Sequence, residues 1–242
     1  NKSLLLLGSG KMGGALLQGW LEKGYAAHGI CVIEPAVAAT APFEGIGGVT
    51  IIRDSADVPE NFRPDMIVLA LKPQMMDAAA PLARYARPET AFLSIAAGRT
   101  IRYFESLLGS DAAIIRSMPN TPAAIGRAIT AYVGNKAVSQ EHMSLAGDLL
   151  SAVGEALEVP EENMLDAVTA VSGSGPAYVF LVIEVMAAAG EKLGLPADLA
   201  MRLAAATISG AGELARHSSE PIAQLRQNVT SPGGTTAEAL KV

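Results

Sequence analysis

The stretch that decides the fold stands near the start of the chain: Leu4-Leu5-Leu6-Leu7-Gly8-Ser9-Gly10-Lys11-Met12-Gly13. Four leucines in succession read as a strand covered on both faces, since a strand with one wet face would alternate. The glycines then follow the spacing G-x-G-x-x-G, and a helical pattern over 11–23 comes next. In that setting Gly8 permits the tight turn out of the strand. Gly10 lets backbone approach a pyrophosphate, and Gly13 lets the helix pack close to the strand. The bare N–H groups and dipole of the helix face the anion. The six residues from Gly8 to Gly13, with Ser9, Gly10, Lys11 and Met12 between, therefore form a candidate dinucleotide loop. The bland alternative is a glycine-rich turn with no ligand.

A second apolar run, Ile30-Cys31-Val32-Ile33, ends in Glu34, about 20 residues past the loop as the fingerprint asks. A carboxylate there accepts from an adenosine ribose 2′-OH and repels a 2′-phosphate, which leans towards NADH. The other reading is an exposed strand-end glutamate. The nearest arginine in sequence is Arg53.

Outward from this unit the rhythm repeats. Strands are expected at 4–7, 30–33, 49–52, 66–71, 91–95 and 112–115, with helices at 11–23, 75–85 and 101–108 between them. Gly24 and Gly109 stand as helix stops. Two more strands, 129–133 and 156–159, flank a helix at 139–153. Alternation of this kind predicts an α/β fold, a Rossmann-type doubly wound sheet. After Pro160 no strand follows, and 161–171, 176–193, 197–217 and 221–229 all read as helices. The domains are thus expected at 1–160, dinucleotide-binding, and 161–242, all-helical. The helix at 176–193 is apolar nearly all round and must be buried on every side. About 80 residues can hardly do this alone, so a dimer interface is expected.

Ligands of open α/β sheets sit at the carboxyl ends of strands. That places Ala70-Leu71-Lys72-Pro73, Ala96-Ala97-Gly98 and the rigid Met118-Pro119-Asn120-Thr121-Pro122 beside a cofactor, with Asn120 facing a nicotinamide amide. Each could equally be an ordinary turn. Ser172-Gly173-Ser174-Gly175-Pro176 opens the apolar helix and offers either an anion site, with Ser174 in it, or a plain helix start. Thr230-Ser231-Pro232-Gly233-Gly234-Thr235-Thr236 is a second nest of backbone N–H groups, sized for a carboxylate. It lacks the spacing and lysine of a P-loop.

Composition closes off other chemistries. A net charge of −6 gives no footprint for nucleic acid. The single cysteine, Cys31, rules out disulfides within the chain and favours a reducing, cytoplasmic compartment. His28, His142 and His217 are scattered and read as surface residues, so no metal is expected. Asp54, Asp57 and Asp65 read as solvated. The longest apolar stretch, 177–189, is broken by Glu184 and falls short of the ~20 residues of a membrane span. The chain has no initiator Met and stops in what reads as the start of a helix, so a C-terminal tail is expected to be missing.

Taken in order, Gly8-x-Gly10-x-Met12-Gly13, Leu69-Ala70-Leu71-Lys72-Pro73-Gln74, Ala96-Ala97-Gly98, Met118-Pro119-Asn120-Thr121-Pro122, Ser172-Gly173-Ser174-Gly175-Pro176-Ala177-Tyr178 and Val229-Thr230-Ser231-Pro232-Gly233-Gly234-Thr235-Thr236 resemble the pyrroline-5-carboxylate reductases over essentially the whole chain. The resemblance implies reduction of Δ1-pyrroline-5-carboxylate to L-proline by NADPH or NADH. It implies a pocket for ring and carboxylate from Asn228, Ser231, Gly234, Thr235 and Thr236, with Thr236 the catalytic hydroxyl against the ring nitrogen and Glu220 a looser match. It also implies a helical dimerisation domain, a homodimer and, in some members, a decamer. Glu34-Pro35 departs from members that receive a 2′-phosphate there.

Two rivals remain at this level. A β-hydroxyacid-dehydrogenase-like enzyme needs a catalytic lysine on a helix of its second domain, and Lys192 and Lys241 lack that context. A non-catalytic dinucleotide sensor would have no reason to keep the nest at 230–236.

Overall fold

The computed structural model describes residues 2–241. It divides into two compact units, the first running to Pro176 and the second starting at Ala177.

The first unit is built on an eight-stranded sheet: β1 (Leu4–Leu7), β2 (Ile30–Ile33), β3 (Val49–Ile52), β4 (Met66–Leu69), β5 (Ala91–Ser94), β6 (Ala113–Met118), β7 (Ala128–Gly134) and β8 (Gly154–Glu158). Their spatial order is β3-β2-β1-β4-β5-β6-β7-β8. The first six strands are parallel; β7 runs antiparallel to β6, and β8 runs parallel to β7. Every residue of β1, β2, β4 and β5 is buried, as continuous apolar runs in a doubly covered sheet must be. The rim strand β8 carries the exposed Glu155 and Glu158, charges that discourage pairing with another edge.

Side chains alternate between two cores. Leu4 and Leu6 face one layer with Leu16, Leu17 and Trp20 of α1 (Lys11–Glu22) and Leu149 and Leu150 of a later helix. Leu5 and Leu7 face the other with Met76, Leu82 and Phe104. Trp20 spans the first layer and donates its indole N–H to the Leu149 carbonyl at 3.0 Å.

Three local differences from the sequence expectation have identifiable causes. Residues 75–85 were expected as an ordinary helix, but Pro73–Tyr85 is a 3₁₀ helix. Pro81 has no N–H for an i→i−4 bond, and Met76, Ala79, Leu82 and Tyr85 are buried at a strict period of three. His142, expected on the surface, is buried. It stands third in α4 (Gln140–Ser151), after the short α2 (Val37–Thr40) and α3 (Ile101–Leu108), and completes a capping box with Ser139. The helix expected at 161–171 is α5 (Met164–Val168) running into a π-turn, Thr169–Gly173.

The second unit is helical. The α6 helix (Gly175–Lys192) begins at the end of the first unit and is followed by α7 (Ala197–His217), α8 (Ile222–Asn228) and α9 (Thr235–Ala239). Ala187 of α6 packs on Ala200 and Ala204 of α7, small residues that let two helices approach closely. Apart from Ile183, which joins this contact, most of the apolar surface of α6 is bare: Tyr178, Phe180, Leu181 and Val185 are each more than half exposed. The helix that the sequence requires to be buried all round is therefore uncovered within one chain. Its apolar stretch also lies in a longer helical run than expected, Met164–Lys192, which by length and composition alone is sufficient to cross a membrane.

Candidate functional site

The strand order reverses direction beside β1, since β2 and β4 flank it on opposite sides. A ligand crevice opens at such a switch point, at the carboxyl ends of the strands. The glycine loop sits there. Gly8 has φ +93°, and a methyl group added to it would lie 2.9 Å from the Ala70 carbonyl oxygen. A methyl on Gly13 would collide with the Gly8 carbonyl oxygen. Gly10 is the opposite case: nothing lies within 4 Å of where its side chain would be. Two glycines are thus demanded by the protein's own packing, and the third leaves open space. Gly10 is the N-cap of α1, where no side chain caps the helix and no acidic residue stands in the first turn. A pyrophosphate fits this arrangement of open space and uncapped amides.

Glu34 follows β2 and is only 9% exposed, so it is no exposed strand-end residue. Its Oε2 accepts from the Ser9 N–H at 2.8 Å and its Oε1 from the Ala36 N–H at 2.9 Å. The carboxylate is therefore fastened to the glycine loop itself. Arg53, 19 residues on in sequence, donates from Nη1 to the Glu34 carbonyl oxygen at 2.8 Å. Sequence spacing hid this neighbour; the parallel pairing of β2 with β3 reveals it.

The other strand ends are gathered at the same edge. Ala70 follows β4 and donates its N–H to the Leu7 carbonyl. Leu71 touches the Gly8 position, Lys72 is exposed, and the Pro73 carbonyl accepts two N–H bonds from Arg99, at 2.9 and 2.7 Å. Arg99 also lies 4.5 Å above the Tyr103 ring. It was missed as a residue that ties the turn after β4 to the turn after β5. Ala96 is buried and Ala97 exposed.

Asn120 is placed differently from expectation. Its Oδ1 accepts from the Ile129 N–H at 3.0 Å and its Nδ2 donates to the Ser172 carbonyl at 3.2 Å. Both ends of the amide are committed to backbone, so it fixes the segment around it. Ser174 lies just past the π-turn and donates its N–H to the Thr169 carbonyl at 2.8 Å. Cys31 is buried in β2, and burial pushes its thiol up to about 11, away from nucleophilic use.

In the second unit the sequence-predicted residues cluster in part. Asn228 donates from Nδ2 to Glu220 Oε2 at 2.8 Å. Ser231 to Gly234 form a turn, closed by the Gly234 N–H on the Ser231 carbonyl at 3.0 Å, with Gly233 at φ +71°. Gly234 is the N-cap of α9, which carries Thr235 and Thr236 in its first turn, both exposed. Lys192 ends α6 and Lys241 pairs with Glu238, so neither lysine stands in a dehydrogenase-like catalytic setting. Among the described residues no group of three or more His, Cys, Asp or Glu is arranged to hold a metal.

Two family models match the chain: "Pyrroline-5-carboxylate reductase dimerisation" over residues 162–242, and "NADP oxidoreductase coenzyme F420-dependent" over residues 3–98. A pyrroline-5-carboxylate reductase from Pseudomonas aeruginosa is 40% identical over 239 residues, covering 98% of this chain and 87% of that protein. The chain belongs to the pyrroline-5-carboxylate reductase family. A Synechocystis member is 39% identical, over 98% of this chain and 88% of its own. A solved pyrroline-5-carboxylate reductase from Coxiella burnetii superposes with a TM-score of 0.90 at 33% identity, covering 99% of this chain and 89% of that one. A Plasmodium falciparum pyrroline carboxylate reductase, solved with NADP bound, gives 0.83 at 31% identity over 100% and 88%. The dimerisation match marks the chain as one that forms homo-oligomers, and the bare apolar surface of α6 accords with that.

Proposed function

We propose that this chain is a pyrroline-5-carboxylate reductase, which reduces Δ1-pyrroline-5-carboxylate to L-proline with NADPH or NADH in the last step of proline biosynthesis. The observation that carries this is identity of 40% to such a reductase across 98% of the chain, a span that includes both the glycine loop and the nest at 230–236. The dinucleotide half is assigned to 1–160 and the substrate and dimer half to 161–242.

The cofactor supplies a hydride to the imine carbon of the ring. The cofactor-binding set is Gly8, Ser9, Gly10, Lys11, Met12, Gly13, Glu34, Ala70, Leu71, Lys72, Pro73, Ala96, Ala97, Asn120 and Ser174, with Asn120 acting through the backbone it holds. The Gly234 and Thr235 amides and the Ser231 hydroxyl hold the substrate carboxylate. Asn228 and Glu220 close the pocket. The Thr236 hydroxyl accepts the hydrogen bond of the ring N–H. An iminium takes a hydride far more readily than a neutral imine, so the protein's work is to hold the protonated ring in place. Orientation of this kind supplies up to ~7–11 kcal/mol in ideal cases.

The assembly is a soluble, cytoplasmic homodimer in which α6 and its neighbours cover one another, and any decamer would be built from such dimers. Light scattering should give twice the chain's 24.9 kDa or a multiple of that. The function is tested by following NADPH and NADH oxidation with pyrroline-5-carboxylate. No turnover with either cofactor would end the proposal. With turnover present, Thr236→Ala should cut kcat/KM and leave cofactor affinity alone.

A further inference from the structure

The edge of the glycine loop carries more information than the family requires. The adenosine ribose of a dinucleotide is bonded to the pyrophosphate, so once the pyrophosphate lies on the N-terminus of α1 the ribose must lie at the loop's rim. The strand next to β1 on that side is β2, paired Leu7 to Ile33, and Glu34 follows it. Its carboxylate is anchored at that rim by the Ser9 N–H, at 2.8 Å.

Each oxygen of Glu34 takes one backbone N–H, from Ser9 and from Ala36. A carboxylate oxygen has a second lone pair, so each keeps one for a ribose hydroxyl. A 2′-OH can donate to it. A 2′-phosphate cannot, and brings a like charge against a carboxylate that is 9% exposed and poorly screened.

The guanidinium beside Glu34 does not reverse the sign. Arg53 bonds from Nη1 to the Glu34 carbonyl at 2.8 Å and to Thr40 Oγ1 at 3.0 Å. From Nη2 it meets Glu44 Oε1 at 3.3 Å. Its charge is already answered by Glu44, so Arg53 brings no uncompensated charge to the rim. A phosphate would have to displace Glu44 and still face Glu34.

We propose that Glu34 is the cofactor-specificity residue of this chain, making it select NADH over NADPH, and that Glu44 holds Arg53 away from a phosphate-binding role. The inference rests on the dinucleotide reading of the loop but needs no substrate chemistry, so the two are tested separately. The full chain is titrated calorimetrically with ADP-ribose and with 2′-phospho-ADP-ribose. ADP-ribose should bind about tenfold tighter or more. Glu34→Gln keeps an acceptor for the Ser9 N–H and removes the charge, and should bring the two ligands within about threefold. Glu44→Gln, at an exposed position, should tighten 2′-phospho-ADP-ribose severalfold and leave ADP-ribose unchanged. The NADH to NADPH ratio of kcat/KM should follow the same order. Equal or tighter binding of the phosphorylated ligand by the unaltered chain overturns the proposal, as does a preference that Glu34→Gln does not move. If Glu34→Gln does not fold, the unaltered chain and Glu44→Gln decide it. Absence of binding by both ligands would refute the dinucleotide loop itself, whereas good binding without imine reduction would refute only the assigned reaction.

Discussion

The side-chain amide of Asn120 holds the Ser172 carbonyl at 3.2 Å and the Ile129 N–H at 3.0 Å. A π-turn shifts the hydrogen-bond ladder by one residue and leaves a carbonyl in need of a donor. Asn120, at the exit of β6, supplies it. Asn120→Ala strands two backbone groups in a half-buried setting, each costing about 1–2 kcal/mol. Urea unfolding should show a loss of about 2–4 kcal/mol; a loss under about 0.5 would mean that water replaces the amide without penalty.

Arg116 on β6 is 5% exposed and meets Glu162 Oε1 at 2.9 Å, an oxygen that also takes the Ile101 N–H at 2.7 Å. Asp166 lies further off, at 3.6 Å. Glu162→Ala leaves the guanidinium one distant partner and strips the start of α3 of its acceptor. A destabilisation of about 2–3 kcal/mol is expected, short of the full cost of a buried unpaired charge because Asp166 remains. Replacing Arg116 and Glu162 together with Met and Gln should cost less than Glu162→Ala alone, which a double-mutant cycle measures.

Gly13→Ala places a methyl against the Gly8 carbonyl oxygen, a backbone atom that cannot turn aside. The start of α1 must shift away from the loop, so NADH affinity should fall by more than tenfold while circular dichroism stays that of the parent. Gly10→Ala meets no protein atom. It should therefore weaken cofactor binding through the space it takes from the ligand, without lowering the melting temperature.

The thiol of Cys31 is raised by burial from 9.0 to about 11. Below pH 9 it is protonated in both folded and unfolded chains, and its contribution to stability is intact. Between about 9 and about 11 the unfolded chain ionises first, so stability falls as pH rises through that window. Cys31→Ala should flatten this part of the stability profile. In the folded protein the thiol should resist a disulfide reagent at pH 8 and react fully in guanidinium.

Much of the first unit was legible in the sequence because its signals are local. An unbroken run such as Leu4–Leu7 reads as a covered strand, and Gly13 is fixed by a contact five residues away, although Gly8 also answers to Ala70, far along the chain. What was not legible depended on distance along the chain. Arg53 reaches Glu34 only through strand pairing, and Asn120 reaches Ser172 across 52 residues. His142 looked like a surface residue because capping boxes ordinarily use Glu or Gln at that position. The period-three burial of Met76, Ala79, Leu82 and Tyr85 was present in the sequence, but three-residue and 3.6-residue spacings part company only over several turns.

Because β7 and β8 run back against the other strands, β8 ends level with Ser117, and α5 starts six residues later, at Met164. The connection at 159–163 is held at both ends, by the Val159 N–H on the Tyr132 carbonyl and by Glu162 on Arg116, and so works as a ruler. One residue added there must either loop out or pull Glu162 away from Arg116 and Ile101. In the second case the Ser172 carbonyl loses its register with Asn120. Insertions should accordingly be tolerated beside the exposed Lys136 and Ala137 and rejected at 159–163, which makes chain length there, as well as the identity of Glu162, a quantity that sequence drift must keep constant.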